Sequence, residues 1–270
     1  MFMDYSLALL FGTVQGITEF LPISSSGHLV VLHELVNLAD VSALDFDVAL
    51  HAGTLIAVFV VFGGDLWTMV TGSFTRTATR ERTHQRTLLT AIIVGSIPAA
   101  VMGYFFDDVI EQMLRFPEVV AFMLVLVGAL FLWVEKASPA QRDLTHLRVS
   151  DGFLIGLAQS LSLIPGTSRS GITILAGMVR KFRRDEAARF SFLLSVPVVF
   201  GAFVFKVVDV LQNDAAIDVP VFAIGILSSA LVGIAAIRFL LQFLSRASLA
   251  VFAYYRFGLA AVIVIFLWLR

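Results

Sequence analysis

Gln15-Gly16-Ile17-Thr18-Glu19-Phe20-Leu21-Pro22-Ile23-Ser24-Ser25-Ser26-Gly27-His28 is a polar island in an otherwise lipid-like chain. A second stretch, Gln159-Ser160-Leu161-Ser162-Leu163-Ile164-Pro165-Gly166-Thr167-Ser168-Arg169-Ser170-Gly171-Ile172-Thr173, repeats part of it 144 residues later. At that offset Gly12, Gln15, Ser24, Ser26 and Gly27 fall on Gly156, Gln159, Ser168, Ser170 and Gly171. Each stretch carries a helix breaker, Pro22 in the first and Pro165-Gly166 in the second. The two are expected to face each other and form one site.

The surrounding chain has the composition of a polytopic membrane protein: 59% of its 270 residues are hydrophobic, 14% are charged and the mean hydropathy is +0.92. A net charge of −1 gives no basic field for nucleic acid. The absence of cysteine excludes disulfides, thiolate metal sites and thiol nucleophiles. With no Lys or Arg before Arg76, the N-terminus lacks the basic region of a signal peptide and is expected to be retained.

Apolar runs at about 46–64 with an extension toward 74, 88–106, 119–134, 190–211, 220–241 and 249–268 are long enough, or nearly so, for helical crossings of roughly 20 residues. Basic residues concentrate in three connections: 75–87 with Arg76, Arg80, Arg82 and Arg86; 135–150 with Lys136, Arg142 and Arg148; and 180–189 with Arg180, Lys181, Arg183, Arg184 and Arg189. The connection 107–117 instead has Asp107, Asp108 and Glu111 against Arg115, and 212–219 has Asp214 and Asp218. The positive-inside rule makes the first three cytoplasmic and the last two external.

Residues 151–180 are apolar yet flanked on both sides by basic connections, so they are expected to enter and leave on the cytoplasmic side as a re-entrant helix–turn–helix. Residues 1–38 read the same way from the opposite face: an apolar half-helix, a break at Pro22, a second half Leu29–Leu38, then an external acidic loop with Asp40, Asp45 and Asp47. The expected fold is therefore an all-α integral membrane protein, a single membrane domain over 1–270. Six transmembrane helices and two re-entrant hairpins would form an inverted-topology repeat with halves at about 1–134 and 151–270 and both termini external.

Gln15 and Glu19, four apart, share a helix face and could address one ligand or cation. A charge at mid-bilayer costs roughly 2.5–3.5 kcal/mol, so Glu19 and Arg169 are expected inside the protein, either at a functional site or as a structural pair joining the repeats. Serine is a good N-cap, and the start of a helix offers free N–H groups to an anion. Two such starts beside the planar fork of Arg169 suit a phosphate or diphosphate, whereas capping and close packing alone account less well for two clusters. A hydroxyl, a carboxylate and a guanidinium together also suit phosphoryl transfer. Oxygen ligands from Glu19, Gln15 and a diphosphate would suit Mg2+ or Ca2+. His28 could donate a proton or hold the loop. His33, His51, His84 and His146 show no partner pattern, and Lys206, Arg238 and Arg256 read as snorkelling or helix-pairing charges.

With these residues in view the sequence resembles the bacterial undecaprenyl-diphosphatase family, also called bacitracin-resistance proteins. Gln15-x-x-x-Glu19, Pro22 and Ser24-Ser25-Ser26-Gly27-His28 are similar to its first signature, and Pro165-Gly166-Thr167-Ser168-Arg169-Ser170-x-x-Thr173 to its second. The resemblance implies a cell-inner-membrane hydrolase that removes the terminal phosphate of undecaprenyl diphosphate, recycling the lipid carrier of peptidoglycan synthesis, with a site open to the periplasmic face. Carried over by position, Glu19 is the essential acid, Ser25 the nucleophile, Arg169 the phosphate clamp and His28 a supporting catalytic group. Ser24, Ser26, Gly27, Gly166, Thr167, Ser168, Ser170 and Thr173 line the substrate, and a divalent cation sits at Glu19 and Gln15. Gln15 stands where many members have Glu, and Ser26 where many have Thr. Acid phosphatases of the lipid phosphatase superfamily need a His shortly after the Ser-Arg pair, which Ser170–Ala176 lacks.

Two chemistries remain open at this level: a phosphoserine on Ser25, or direct attack by water held by Glu19. The rival function is a transporter or flippase of a prenyl phosphate, which an inverted repeat would equally serve. The expected partners are the lipid substrate and the bilayer, and a homodimer is left open.

Overall fold

The computed structural model describes residues 2–36, 43–74, 79–114, 116–137, 141–212 and 218–269. Ten α-helices run through them: α1 (Phe2–Thr18), α2 (Ser25–Leu35), α3 (Ala43–Phe74), α4 (Arg80–Leu114), α5 (Pro117–Ala137), α6 (Val149–Ser160), α7 (Arg169–Val179), α8 (Arg184–Gln212), α9 (Val219–Leu244) and α10 (Ala250–Leu269). Among the described residues there is no strand, only a bridge between Arg142 and Phe182. Six helices, α3, α4, α5, α8, α9 and α10, are long and apolar enough to cross a membrane. They coincide with the six apolar runs. The chain is a multi-pass helical membrane protein.

The other four helices are 17, 11, 12 and 11 residues long, short of the roughly 20 that a crossing needs. They come as two pairs, α1–α2 and α6–α7, each interrupted where the sequence places its breaker. The helix stops before the proline in both: α1 ends at Thr18, and α6 gives way to a 3₁₀ turn over Leu161–Leu163. Each new helix starts from a serine in the left-handed region, Ser24 at φ 76 and Ser168 at φ 72. Such a conformation costs a non-glycine residue of order 1–3 kcal/mol. The capping bond offsets part of it: the Ser24 hydroxyl accepts from Gly27 N at 3.3 Å and the Ser168 hydroxyl from Gly171 N at 3.2 Å.

Packing is organised around these pairs. The first helix of each lies against a helix from the other half of the chain, α1 on α9 and α6 on α4. Small residues let the backbones meet: Gly12 against Gly225 and Ser228, Gly16 against Ser229 and Gly233, Gly152 against Ala91, Gly156 against Gly95. A methyl group on Gly156 would stand 2.0 Å from the Gly95 carbonyl oxygen, so this crossing admits no side chain. α5 packs on α10, and α3 on α8 and α9. Phe20, Phe131, Phe190 and Phe192 fill the centre, with the rings of Phe20 and Phe192 edge to face at 5.5 Å.

The basic connections gather at one end. Lys181 O accepts from the amides of Gln141 and Arg142, Arg189 meets Asp65 near the end of α3, and Arg184 binds Glu135, which also accepts from Leu249 N. A cleft of about 290 Å³ lined by Asp65, His84, Asp143, Arg183, Glu186 and Arg189 opens there.

Several expectations are corrected. α2 begins at Ser25, and its last described turn ends at Leu35. Asp47 is not in an acidic loop: α3 starts at Ala43, and Asp47 is buried in its first turns, where it binds His33 at 2.9 Å. His146 likewise has partners, Asp143 and Thr145. Arg238 is exposed, in keeping with snorkelling. Asp40, Arg76, Arg115 and Asp214 lie outside the described residues, as do the side chains of Asp45, Asp107, Asp108, Glu111 and Lys206.

Candidate active site

The two breaks meet. Glu19, one residue past α1, is still turned with it, because its amide donates to Gln15 O at 2.9 Å and its carboxylate accepts from Gln15 Nε2 at 3.0 Å. The carboxylate is 6% exposed and carries two further donors. Ser25, the first residue of α2, donates its hydroxyl to Oε2 at 2.7 Å, and Arg169, the first residue of α7, donates to Oε1. The structure thus brings Gln15, Glu19, Ser25 and Arg169 into one cluster, as the sequence predicted. The buried carboxylate and the guanidinium neutralise each other, which removes much of the cost of burying either.

The remaining serines form matched shelves beside this cluster. Ser24 and Ser26 lie 3.2 Å apart, hydroxyl to hydroxyl, as do Ser168 and Ser170. They also cross-link the breaks: Gly166 N reaches Ser26 Oγ at 3.4 Å and Ser170 donates to Leu21 O at 3.3 Å. Thr173 turns away from the junction, bonding Arg169 O at 2.7 Å and Ser191 at 2.6 Å. Thr167 is buried with an unpartnered hydroxyl, and Gln159, the counterpart of Gln15, is buried with both polar atoms unpartnered. Gly27 and Gly166 both pack on Val120 of α5, Gly27 against its side chain and Gly166, at φ +89, against its backbone.

His28 does not reach the Glu19 cluster. Its Nδ1 lies 2.7 Å from Ser24 O and its Nε2 2.8 Å from the Tyr255 hydroxyl. A carbonyl only accepts, so Nδ1 carries the proton, and in the neutral ring Nε2 accepts from Tyr255. In this arrangement His28 ties α2 to α10.

Sequence reasoning missed two groups. His51, on α3, places Nε2 3.5 Å from Glu19 Oε2 while Nδ1 is fixed on Asp47 O at 2.8 Å. Arg256 neither snorkels nor pairs with a carboxylate among the described residues: it is wholly buried and donates to four backbone carbonyls. A lone charge in the apolar run Tyr254–Ile265 was the available signal for Arg256. His51 had none, because its partner is set by packing.

Among the described residues no group of three or more His, Cys, Asp or Glu converges on a point. The donors for a hard cation are Glu19 and Gln15, whose Oε1 is buried and unpartnered. One carboxylate and one amide oxygen suit Mg2+ or Ca2+ when phosphate oxygens complete the shell.

A carboxylate holding a hydroxyl and an arginine between two broken helices of a multi-pass membrane protein has the chemistry that phosphoryl transfer uses. The chain belongs to the family described as bacitracin resistance protein BacA, which it matches over residues 8–262. It is 46% identical over 261 residues to an undecaprenyl-diphosphatase of Rubrobacter xylanophilus, covering 95% of this chain and 96% of that one. Undecaprenyl-diphosphatases of Pelotomaculum thermopropionicum and Moorella thermoacetica are each 41% identical, the first over 95% of both chains and the second over 97% of this chain and 98% of its own.

Proposed function

We propose that the protein hydrolyses undecaprenyl diphosphate to undecaprenyl phosphate and phosphate, and that it does so at Glu19, Ser25 and Arg169. The observation that carries this reading is the Ser25 hydroxyl on Glu19 at 2.7 Å with Arg169 on the same carboxylate. That is a nucleophile on its base, with a charge clamp beside it. The terminal phosphate would share Arg169 with Glu19, its other oxygens facing the serine shelves and the N–H groups at the starts of α2 and α7. Ser25 passes its proton to Glu19 and its oxygen bonds to the terminal phosphorus. The bond from that phosphorus to the bridging oxygen breaks, and undecaprenyl phosphate departs as a phosphate monoester, a weak base that needs no proton at neutral pH. Glu19 releases the proton taken from Ser25 to solvent. Water then cleaves the phosphoserine: Glu19 takes a proton from the attacking water and passes it to the departing Ser25 oxygen, which restores the hydroxyl. Gln15 and Glu19 would hold a Mg2+ or Ca2+ ion, which supplies charge neutralisation on the diphosphate when bound.

We propose further that the breaks lie inside the bilayer as re-entrant hairpins of an inverted repeat, with the basic end cytoplasmic, the termini external and the site open to the periplasmic face of the inner membrane. The gathering of the basic connections at one end supports this orientation. Because the chain has no cysteine, a single R82C label reports sidedness, and labelling from outside intact cells would overturn it.

The deciding experiment is phosphate release from undecaprenyl diphosphate by purified protein in detergent, before and after EDTA and with Mg2+ or Ca2+ restored. Release abolished by E19Q and R169A is expected. A protein that moves prenyl phosphate but releases none would be a transporter.

A further inference from the structure

Arg256 lies in α10, away from the Glu19 cluster, and its four carbonyl partners are not a random set. Nη1 donates to Pro22 O at 3.3 Å and Nη2 to Gly166 O at 2.8 Å, while Nε and Nη2 reach Leu124 O and Met123 O on α5, both at 3.1 Å. Pro22 and Gly166 are separated by the same 144 residues that relate Ser24 to Ser168 and Ser25 to Arg169. One guanidinium therefore grips the equivalent carbonyl of both breaks, each two residues ahead of a serine in the left-handed region. The neighbouring Tyr255 adds a third hold through His28, whose other nitrogen sits on Ser24 O.

We infer that Arg256 is a positioning residue that sets the separation of the two breaks, and with it the alignment of Ser25 and Glu19 against Arg169. The inference rests on the phosphatase reading above for its kinetic consequence, but the alignment itself is physical. An arginine that served only to join helices would meet a carboxylate or its own neighbours. This one is buried, lies 5.6 Å over the ring of Phe131, and spends its planar fork on the backbone of three separate segments. Lysine keeps the charge but cannot span carbonyls lying in several directions. Glutamine keeps a planar donor for only two of them.

The test is a graded series, R256K, R256Q and R256M, with steady-state phosphate release and thermal unfolding measured for each. Because Arg256 is placed off the substrate, the kcat should fall at least tenfold in R256K and R256M, less in R256Q, with KM within threefold of wild type. R169K, altered at a substrate contact, should instead raise KM. Wild-type kcat with a lowered unfolding temperature would make Arg256 merely structural, and a raised KM with kcat intact would make it a substrate charge; either result overturns the inference. The alignment is read without activity from nitroxides on V31C in α2 and V179C in α7. One narrow distance is expected in the parent protein, broadened or shifted in the variants, and an unchanged distance also overturns it. If R256M does not fold, R256Q decides. Wild-type protein that releases no phosphate sinks the phosphatase reading, while the distance measurement still judges the positioning role.

Discussion

Ser25 and Arg169 occupy the same place in two copies of one local structure, the first residue of the helix after each break, and both bind the carboxylate of Glu19. The copies have diverged at this position into hydroxyl and guanidinium. At the position of Glu19 itself the second copy has Leu163, so the Glu19 carboxylate has no counterpart there and the cluster is built once, across the junction.

Removing that base tests the chemistry. Glu19→Gln keeps the shape but cannot take a proton from Ser25, and a loss of about 10³ in kcat is expected for a positioned general base. Ser25→Ala should lose a comparable factor and should trap no phosphoserine in rapid-quench labelling with β-³²P substrate. Near-normal turnover by Ser25→Ala would assign the attack to water.

The left-handed serines predict a contrast between two small substitutions. Ser168→Ala removes the cap and leaves a methyl-bearing residue at φ 72, a destabilisation of about 1 kcal/mol or more. Ser168→Gly also removes the cap but relaxes the backbone, and should cost only a few tenths of that. Unfolding temperatures in detergent should therefore rank wild type, Gly, then Ala.

Gly166→Ala should be severe. At φ +89 the added Cβ would meet Val120 O at 2.6 Å on α5, so the break must move off the helix or the helix must shift. A loss of about 2–3 kcal/mol is expected from strain and overpacking, together with lower activity because Gly166 N addresses Ser26.

Asp151 tests stability apart from chemistry. It is fully buried at the start of α6, where it accepts from Arg142 and Arg180 at 2.8 Å and from Arg148 N at 3.0 Å. Asp151→Ala leaves two arginines without their shared partner and should destabilise by about 3 kcal/mol. The kcat of the folded fraction should stay at the wild-type level.

One pH effect follows from the connection before α6. Hydrogen bonds from Thr145 and His146 hold the exposed Asp143 carboxyl down to about 2, below its ordinary 3.8. A depressed acid stabilises the folded turn above its ordinary pKa and ceases to as pH falls toward the folded value. Protection of the Thr145 amide, normalised to its intrinsic exchange rate, should hold from pH 7 to about 5 and fall toward pH 2, a fall absent in Asp143→Asn.

The spans were legible because hydropathy over some twenty residues is a strong signal, and the Glu19–Ser25–Arg169 cluster because polar groups in an apolar chain require a reason. What escaped was set by distant partners. Arg256 binds carbonyls, which every residue carries and no sequence displays as a pattern. His51 meets Glu19 only because α3 packs beside α1, and Asp47 looked like loop because an acid at a helix start is indistinguishable from one before it. The contacts of Arg256, His51 and His33 to other elements are products of the fold rather than of spacing.

The crossing of α1 on α9 also governs assembly. The Gly12–Gly16 face of α1 has no seat until Gly225–Gly233 of α9 has been made, after α2 to α8. A chain halted before α9 would therefore leave the glycine face of α1 uncovered, and the first break would lack the helix that seats it.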